Sequence, residues 1–253
     1  MLNISIDDAS LPVRAGAFVF PERKPSNSSR LRLVEQGSAL ALENTHPFEA
    51  FRIVEGCICL SLPLADGRRQ ILDVLGPGWL VGLQVASING CSAIALAPTR
   101  LRSLDLAPER HATVDALRQT LCRAQSHAAL LGRKTMAERV AAALLDLADQ
   151  FAIPSGKPAG GEITFPLHLT RADLADWLGL TLSTVSRCLN AFKRHGLIAF
   201  DHPKRITIRH RDTLEALASG IPVSAYRSPR RSRRVGFNQA SQPLASATDY
   251  QAS

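Results

Sequence analysis

Short apolar runs separated by turn residues dominate the chain from about residue 31 to residue 106. The runs at 57–62 and 70–75 are rich in residues that favour strands, and Asp66-Gly67 between them is a strong hairpin signal. Gly76-Pro77-Gly78 then interrupts regular structure. The pattern therefore predicts an antiparallel β domain in this part of the chain.

From about Thr113 the pattern changes to that of a long helix. Apolar residues recur at alternating steps of four and three, which is the spacing that makes one seam for a partner helix. A parallel homodimer is the natural partner, and the alternative is an amphipathic helix that lies on its own β domain. The seam consists of Leu117, Leu121, Ala124, Ala128 and Leu131.

A second helix is predicted directly after this one. Thr135 followed by Glu138 has the spacing of a capping box, so a new helix begins there and leaves a hinge near Lys134. A loop rich in glycine and proline follows at 153–161, and 162–165 reads as a short β segment. One face of the second helix carries the apolar residues Val140, Leu144, Leu147 and Phe151.

The segment from residue 170 to residue 208 is the most informative part of the chain for function. Thr170 and Thr181 are each placed to cap a helix, and Gly196 stands where a left-handed residue ends the second one. The second helix buries one apolar face and turns a polar, basic face outward, and 197–208 reads as a hairpin, or wing. This is the pattern of a winged helix-turn-helix. The residues expected to contact DNA are Thr170, Thr181, Leu182, Ser183, Thr184, Ser186, Arg187, Asn190, Lys193 and Lys204.

Length and charge agree with two functional parts. A chain of 253 residues, 45% of them apolar, divides into about two domains. The net charge is +8, and from Pro166 onward 13 Lys and Arg stand against six Asp and Glu, so nearly all of the excess lies in the last third. That asymmetry indicates a polyanion-binding end joined to a nearly neutral domain.

Several classes of protein are not expected. No apolar stretch reaches the length of a membrane span, and the first residues lack the order of a signal peptide, so we expect a cytoplasmic protein with no membrane partner. Five scattered cysteines do not fit a disulfide scaffold. Since no nucleophile, phosphate-cradling loop or metal motif is found, we expect no enzyme activity, no catalytic or metal-binding residues and no cofactor.

The stretch from Leu167 to Ile198 resembles the DNA-binding signature of the Crp/Fnr family of bacterial transcription regulators, closest to its Fnr and FixK branch. The layout from about residue 30 to residue 215 resembles the same family. The resemblance implies an α+β fold: a cyclic-nucleotide-binding-like β-roll at 1–112, a dimerisation helix at 113–134 and a winged helix-turn-helix at 135–222. A basic tail at 223–253, expected to be disordered, falls outside it.

Function also follows from the resemblance as an expectation. It implies a homodimer that binds palindromic double-stranded DNA, bends it and contacts RNA polymerase, in the control of redox, low-oxygen or nitrogen metabolism. In the family, the step that is Thr184-Val185-Ser186-Arg187 here lies in the major groove, where the arginine reads a guanine of a TTGA-type half-site. Ser183 stands where Fnr-like proteins carry glutamate, so we expect looser or different readout at that base.

The effector site departs from the family in two ways. Members that bind cyclic AMP have a Gly-Glu-Leu turn and an arginine about ten residues later, whereas this chain has Gly78-Trp79-Leu80 and no arginine between Arg69 and Arg100. Cyclic nucleotide binding is therefore not expected. Oxygen sensing through a [4Fe–4S] cluster is not expected either, because no cysteine precedes Cys57.

Other sensor chemistries stay open as alternatives. Cys57 and Cys59 share one face of a strand and could bind metal or become oxidised, although packing is the commoner role of such a pair. A haem-dependent sensor would use a histidine, and a helix-turn-helix that contacts protein instead of DNA is a further rival. Cys188 is expected to be a small buried thiol, and Asp173 and Asp176 to be ordinary helix residues. The histidines available for haem are His46, His111 and His127.

Overall fold

The computed structural model describes residues 31–40, 50–82, 90–104, 110–153, 162–202 and 204–223. The strands in these ranges are β1 (Leu31–Val34), β2 (Ala50–Glu55), β3 (Ile58–Pro63), β4 (Arg69–Leu75), β5 (Leu80–Val81), β6 (Ser92–Ala95), β7 (Thr99–Leu104), β8 (Ile163–Pro166), β9 (Ile198–His202) and β10 (Arg205–Ile208). The helices are α1 (Arg110–Arg133), α2 (Met136–Phe151), α3 (Arg171–Leu178), α4 (Leu182–Arg194) and α5 (Arg211–Ala218). The basic tail from residue 224 onward and His46 lie outside the described residues.

The predicted antiparallel β domain is confirmed as two sheets. Their strand orders are β1-β7-β2-β5 and β4-β3-β6, and all neighbouring strands are antiparallel. Ile53 and Leu101 from the first sheet meet Ile58 and Leu60 from the second in one apolar core. The predicted hairpin joins β3 to β4, and Gly67 at its turn has a φ of 82°.

Helix α1 begins at Arg110, three residues earlier than the sequence pattern predicts. One of its faces packs against the rest of its own chain, where Arg123 and His127 are part-buried. A different face is exposed, and it carries Leu117 and Leu121, which are 50% and 58% exposed. The helix therefore both lies on its own chain and leaves an apolar stripe uncovered.

Helix α2 lies in a core to which both the β-roll and the helix-turn-helix contribute. It begins with the predicted capping box, in which Glu138 Oε2 accepts a hydrogen bond of 3.0 Å from Thr135 N. Its apolar face is buried against Ile71 and Val74 of β4 and against apolar residues of α3 and α4. The larger apolar core thus continues without interruption from the β-roll into helices α2, α3 and α4. The predicted members Val140, Leu144, Leu147 and Phe151 are all buried.

A part-buried ion cluster supports the same junction. Arg123 of α1 donates to both carboxylate oxygens of Asp73 in β4, at 2.6 and 2.9 Å, and to those of Asp146 in α2, at 3.1 and 3.2 Å. Its guanidinium also lies 4.5 Å from the centre of the Trp79 ring. Burial alone would lower the pKa of Arg123, but the two carboxylates raise it. The ion pairs of Arg123 therefore join α1 to β4 and to α2.

The hinge predicted near Lys134 is tied by two cations to the ends of helices. Arg139 donates to the carbonyl oxygens of Leu131 at 2.6 Å, Lys134 at 3.0 Å and Leu178 at 3.1 Å. Lys134 Nζ donates to the carbonyl of Ala218 at 2.9 Å. Carbonyls at helix C-termini lack partners within the helix, so cations there satisfy them and join α1, α3 and α5.

The C-terminal unit consists of α2 to α5 and a three-stranded antiparallel sheet ordered β8-β10-β9. The hairpin of β9 and β10 is the predicted wing. None of the helices in the described part of the chain combines the length and the apolar character that a bilayer crossing requires.

Gly56 provides a test of the packing in the β-roll. Its φ is 101°, and a Cβ there would lie 2.4 Å from Thr99 Oγ1 and 2.6 Å from the Pro98 carbonyl oxygen. We expect Gly56→Ala to lower the free energy of unfolding by about 2–4 kcal/mol, because backbone strain and overpacking add. Urea denaturation measures this loss.

The matched control is Gly37→Ala. Gly37 has a similar φ of 84°, but no atom lies within 4 Å of its added Cβ. This variant should lose only the conformational part, about 1–2 kcal/mol. Equal losses in the two variants would contradict the close approach of Gly56 to Thr99.

Candidate nucleic-acid interface

Two threonine caps and a glycine turn set the geometry of the helix-turn-helix. Thr170 Oγ1 accepts a hydrogen bond from Asp173 N at 3.0 Å, and Thr181 Oγ1 accepts one from Thr184 N at 3.2 Å. Gly179, with a φ of 60°, ends α3 in the left-handed region. Both predicted caps are confirmed, and they begin α3 and α4 at the predicted positions.

The inner face of α4 is apolar, as predicted. Val185, Cys188, Leu189 and Phe192 are buried in the core that α4 shares with α2 and α3. Burial raises the pKa of the Cys188 thiol, although the neighbouring charge of Arg187 opposes this shift. Cys188 is therefore a protonated packing residue.

The outer face of α4 carries most of the predicted DNA contacts. Ser186 is part-buried, and the other outward candidates are exposed to solvent. Lys204 is exposed on the wing, directly before β10. The exposed candidates are Thr170, Thr181, Leu182, Ser183, Arg187, Asn190, Lys193 and Lys204.

Thr184 differs from the prediction. Its side chain is buried, with 7% of the residue exposed, because its hydroxyl turns back towards the cap and lies 2.8 Å from Thr181 Oγ1. The same hydroxyl accepts a hydrogen bond of 3.3 Å from Arg187 Nη2. Thr184 therefore steadies the arginine beside it and does not itself present a polar group to solvent.

Arg171 is a candidate that the sequence reasoning missed. It is exposed at the first position of α3, and its Nη1 lies 3.4 Å from Ser186 Oγ on the outer face of α4. A cation at a helix N-terminus is unfavourable for the helix dipole. An arginine at the first position of a predicted helix could therefore have indicated, from the sequence, that this end of α3 binds an external anion.

A groove of about 410 Å³ lies between the start of α3, the second half of α4 and the wing. Thr170, Arg171, Asn190, Lys193 and His202 line it, above a floor of apolar side chains. Two cations and three further polar side chains around an open groove suit the phosphate and sugar oxygens of a nucleic acid backbone. The groove brings together three of the predicted contacts: Thr170, which caps α3, and Asn190 and Lys193 of α4.

Arg171, Lys193 and Lys204 supply positive charge on this surface, and His168 nearby does not. His168 packs against Phe151, with ring centres 5.1 Å apart, and burial lowers its pKa, helped by the charge of Lys204. His168 is therefore neutral at neutral pH. Attraction of the arginine and lysine side chains to phosphate will weaken as the salt concentration rises.

The alternative sensor residues take part in packing. Cys57 and Cys59 are completely buried, and burial raises the pKa of Cys59 to about 11 and that of Cys57 further. Within the described ranges, no three His, Cys, Asp or Glu side chains form a group that could hold a metal ion. The ring of His127 stacks on Trp177 with centres 6.1 Å apart. The side chain of His111 lies outside the described residues.

Comparison with known proteins agrees with this geometry. Residues 138–217 match the model of the Crp-like helix-turn-helix domain. The nitrogen fixation regulation protein FixK of Azorhizobium caulinodans is 38% identical over 178 residues, which cover 66% of this chain and 70% of that protein. The transcriptional activator protein FnrL of Cereibacter sphaeroides is 32% identical over 166 residues, which cover 62% of this chain and 67% of that protein.

A solved structure extends the likeness to the β-roll. The structure of FixK2 from Bradyrhizobium japonicum superposes with a TM-score of 0.61 at 29% sequence identity, and the match covers 75% of this chain and 96% of that one. FixK is named as a regulation protein and FnrL as a transcriptional activator, and none of these three names describes an enzyme.

The cap of α4 can be tested directly. Thr181→Ala removes the hydroxyl that accepts from Thr184 N, so we expect the free energy of unfolding to fall by about 1 kcal/mol. Thr181→Ser keeps the acceptor and should retain nearly all of that stability. Urea unfolding of both variants decides, and an equal loss in the serine variant would mean that the methyl group, not the cap, is responsible.

Proposed function

This chain is a DNA-binding transcription regulator of the Crp/Fnr family, similar to FixK, and we propose that it acts as a homodimer on palindromic double-stranded DNA. The observation that carries the proposal is the outer face of α4, which is exposed, polar and basic beside a groove lined by further cations. A helix with such a face fits the major groove, where base edges are read.

The proposed DNA contacts fall into two groups, those that read bases and those that bind phosphates. Arg187, exposed on α4 and held by Thr184, is suited to guanine, because a guanidinium fork matches O6 and N7. Arg171 and Lys193 border the groove and Lys204 lies on the wing, where they would meet phosphates and fix the register without reading sequence. A TTGA-like half-site fits this arrangement, with altered preference at the base opposite Ser183.

The proposed dimer uses the exposed stripe of α1. Val114, Leu117 and Leu121 are 61%, 50% and 58% exposed, and no other part of the described chain covers them. Val114 lies one step before the predicted seam, at the same spacing, so Val114 and the seam together span about two and a half heptads. Pairing two copies of α1 buries this stripe. It also relates two recognition helices by a two-fold axis, which explains a palindromic site.

The wider role follows from the relatives. FixK and FnrL are named as regulators of nitrogen fixation and of transcription, so we propose a role for this chain in nitrogen or low-oxygen control in a bacterial cytoplasm. Promoter action would come from bending DNA and contacting RNA polymerase, with no catalytic step. Cyclic nucleotide is not the expected effector, because Trp79 in the turn packs against Arg123 and offers no acceptor for a ribose hydroxyl.

Arg187→Ala tests the reading of sequence. Specific binding should weaken by about 1–3 kcal/mol at fixed salt, with most of the binding to unrelated DNA retained, because a base contact is lost and phosphate contacts remain. Fluorescence anisotropy with specific and scrambled duplexes measures both affinities.

Lys193→Ala is the matched control on the same helix. It should weaken binding to all sequences alike and lower the salt dependence by about one unit of slope. The assignment of Arg187 would be rejected if its loss left the ratio of specific to scrambled binding unchanged.

Leu121→Glu tests the dimer. A charge in the centre of the stripe should give monomers in sedimentation and abolish tight palindrome binding, because separate monomers lack the effective concentration that a dimer gains. Ser126→Glu places the same charge at an exposed position outside the stripe and should leave both properties unchanged. A dimeric Leu121→Glu protein would refute this interface.

A further inference from the structure

Strand β4 of the β-roll holds the first helix of the helix-turn-helix by side chain and by main chain. Arg69 Nε donates to Asp176 Oδ2 at 2.7 Å, and Arg69 Nη2 donates to Asp173 Oδ1. The next residue, Gln70, donates through Nε2 to the carbonyl oxygen of Asp176 at 2.6 Å. Two adjacent residues of β4 therefore bind α3 at three points, although more than 100 residues separate them in sequence.

Asp173 connects Arg69 of β4 to Thr170 on the DNA-facing surface. Its Oδ2 accepts hydrogen bonds from Thr170 N at 2.8 Å and from Thr170 Oγ1 at 2.7 Å, while its Oδ1 is bound to Arg69. Only 10% of its side chain is exposed, so these bonds are weakly screened by water. The same carboxylate thus contacts the β-roll and a residue that lines the candidate DNA groove.

Helices α3 and α4 move as one body. Leu174 and Leu178 of α3 and Val185 and Leu189 of α4 are fully buried in one core. Close-packed apolar contacts of this kind do not allow one helix to turn without the other. The orientation of α3 on the β-roll is therefore also the orientation of the recognition helix.

We propose that Arg69 is a positioning residue for DNA recognition, which sets the spacing of half-sites that the dimer accepts. By binding Asp173 and Asp176 together, it holds the helix-turn-helix at one angle on the β-roll. The inference rests on the proposed homodimer, in which two such units face one palindrome.

The link from angle to spacing is geometric. Because DNA turns once in about 10–10.5 base pairs, each added base pair rotates one half-site by about 35° relative to the other. A rigidly held recognition helix meets both half-sites at one spacing only. If the helix-turn-helix can tilt on its β-roll, it reaches neighbouring spacings at a smaller loss, and discrimination between spacings falls.

The test uses full-length protein and a graded set of duplexes. The palindrome that wild type enriches most from a random duplex pool is lengthened or shortened at its centre by one and two base pairs, and a single half-site duplex completes the set. In Arg69→Ala, discrimination between the best spacing and its neighbours should fall about tenfold, the size of a typical charge-assisted hydrogen bond. Affinity for the single half-site should stay within about twofold of wild type.

Two substitutions define what the loss means. Arg69→Lys keeps the charge but not the fork that reaches two carboxylates, so it should restore discrimination only in part. Arg68→Ala is the matched control, because Arg68 is the neighbouring residue and pairs with Asp66 within its own hairpin, at 2.6 Å. It should discriminate spacings as wild type does.

A double-mutant cycle identifies the partner. If Arg69 acts through Asp176, then Asp176→Asn should lower spacing discrimination, and the double variant Arg69→Ala, Asp176→Asn should be little worse than Arg69→Ala alone. Fully additive losses would mean that the two residues act separately, which contradicts the proposal.

Thiol labelling provides a readout that needs no DNA. Cys57 and Cys59 are fully buried in the core that β4 shares with α2 and the C-terminal unit, whereas Cys91 is buried in the separate core of the β-roll. With iodoacetamide and mass mapping, Arg69→Ala should label Cys57 and Cys59 faster than wild type does. Cys91 should stay protected, and exposed Cys122 should react equally in both proteins.

The outcomes separate the two claims. If wild type enriches no palindrome, the proposed function fails and the inference fails with it. If wild type prefers one spacing and Arg69→Ala keeps that preference, only the positioning role is overturned. Faster labelling of Cys91 together with Cys57 would also overturn it, because the variant would then be loosened throughout and not at the junction.

Discussion

A part-buried guanidinium holds three parts of this chain at one point. Arg123 of α1 has only 12% of its side chain exposed, and arginine keeps its charge at any physiological pH. Such a charge is tolerated in a protein interior only when carboxylates surround it, and here they come from Asp73 in β4 and Asp146 in α2. The β-roll, the long helix and the first helix of the C-terminal unit must therefore meet for this charge to be satisfied.

The rest of the architecture depends on that meeting. Helix α2 buries its apolar face against β4 and against the helix-turn-helix in a single core, so the recognition helix is carried on a frame that includes the β-roll. The contacts of Arg139 with three carbonyl oxygens and of Arg69 with two carboxylates hold the same frame at its edges. The shared core and these contacts hold the DNA-reading face of α4 in one orientation. A symmetric dimer needs that fixed orientation to match two half-sites.

Local features could be predicted from the sequence, and distant partners could not. The caps Thr135, Thr170 and Thr181 depend on residues three positions away, so their spacing identified them. Arg69 and Asp173 are separated by 104 residues, and no periodicity connects them, so Asp173 was expected to be an ordinary helix residue. The family resemblance placed Thr184 among the DNA contacts, but its hydroxyl lies 2.8 Å from Thr181 Oγ1 of the cap and its side chain is buried. In the predicted seam of α1, Leu117, Leu121, Ala124 and Ala128 are exposed and Leu131 is part-buried, and the role of the seam in a dimer stays a prediction.

The proposed dimer reads a palindrome through its two recognition helices. Selection of bound duplexes from a random-sequence pool, with wild-type protein at near-physiological salt, tests this most directly. We expect enrichment of two inverted half-sites whose centres lie about one helical turn, 10–10.5 base pairs, apart. Enrichment of an isolated half-site, of direct repeats, or of no sequence at all would contradict it.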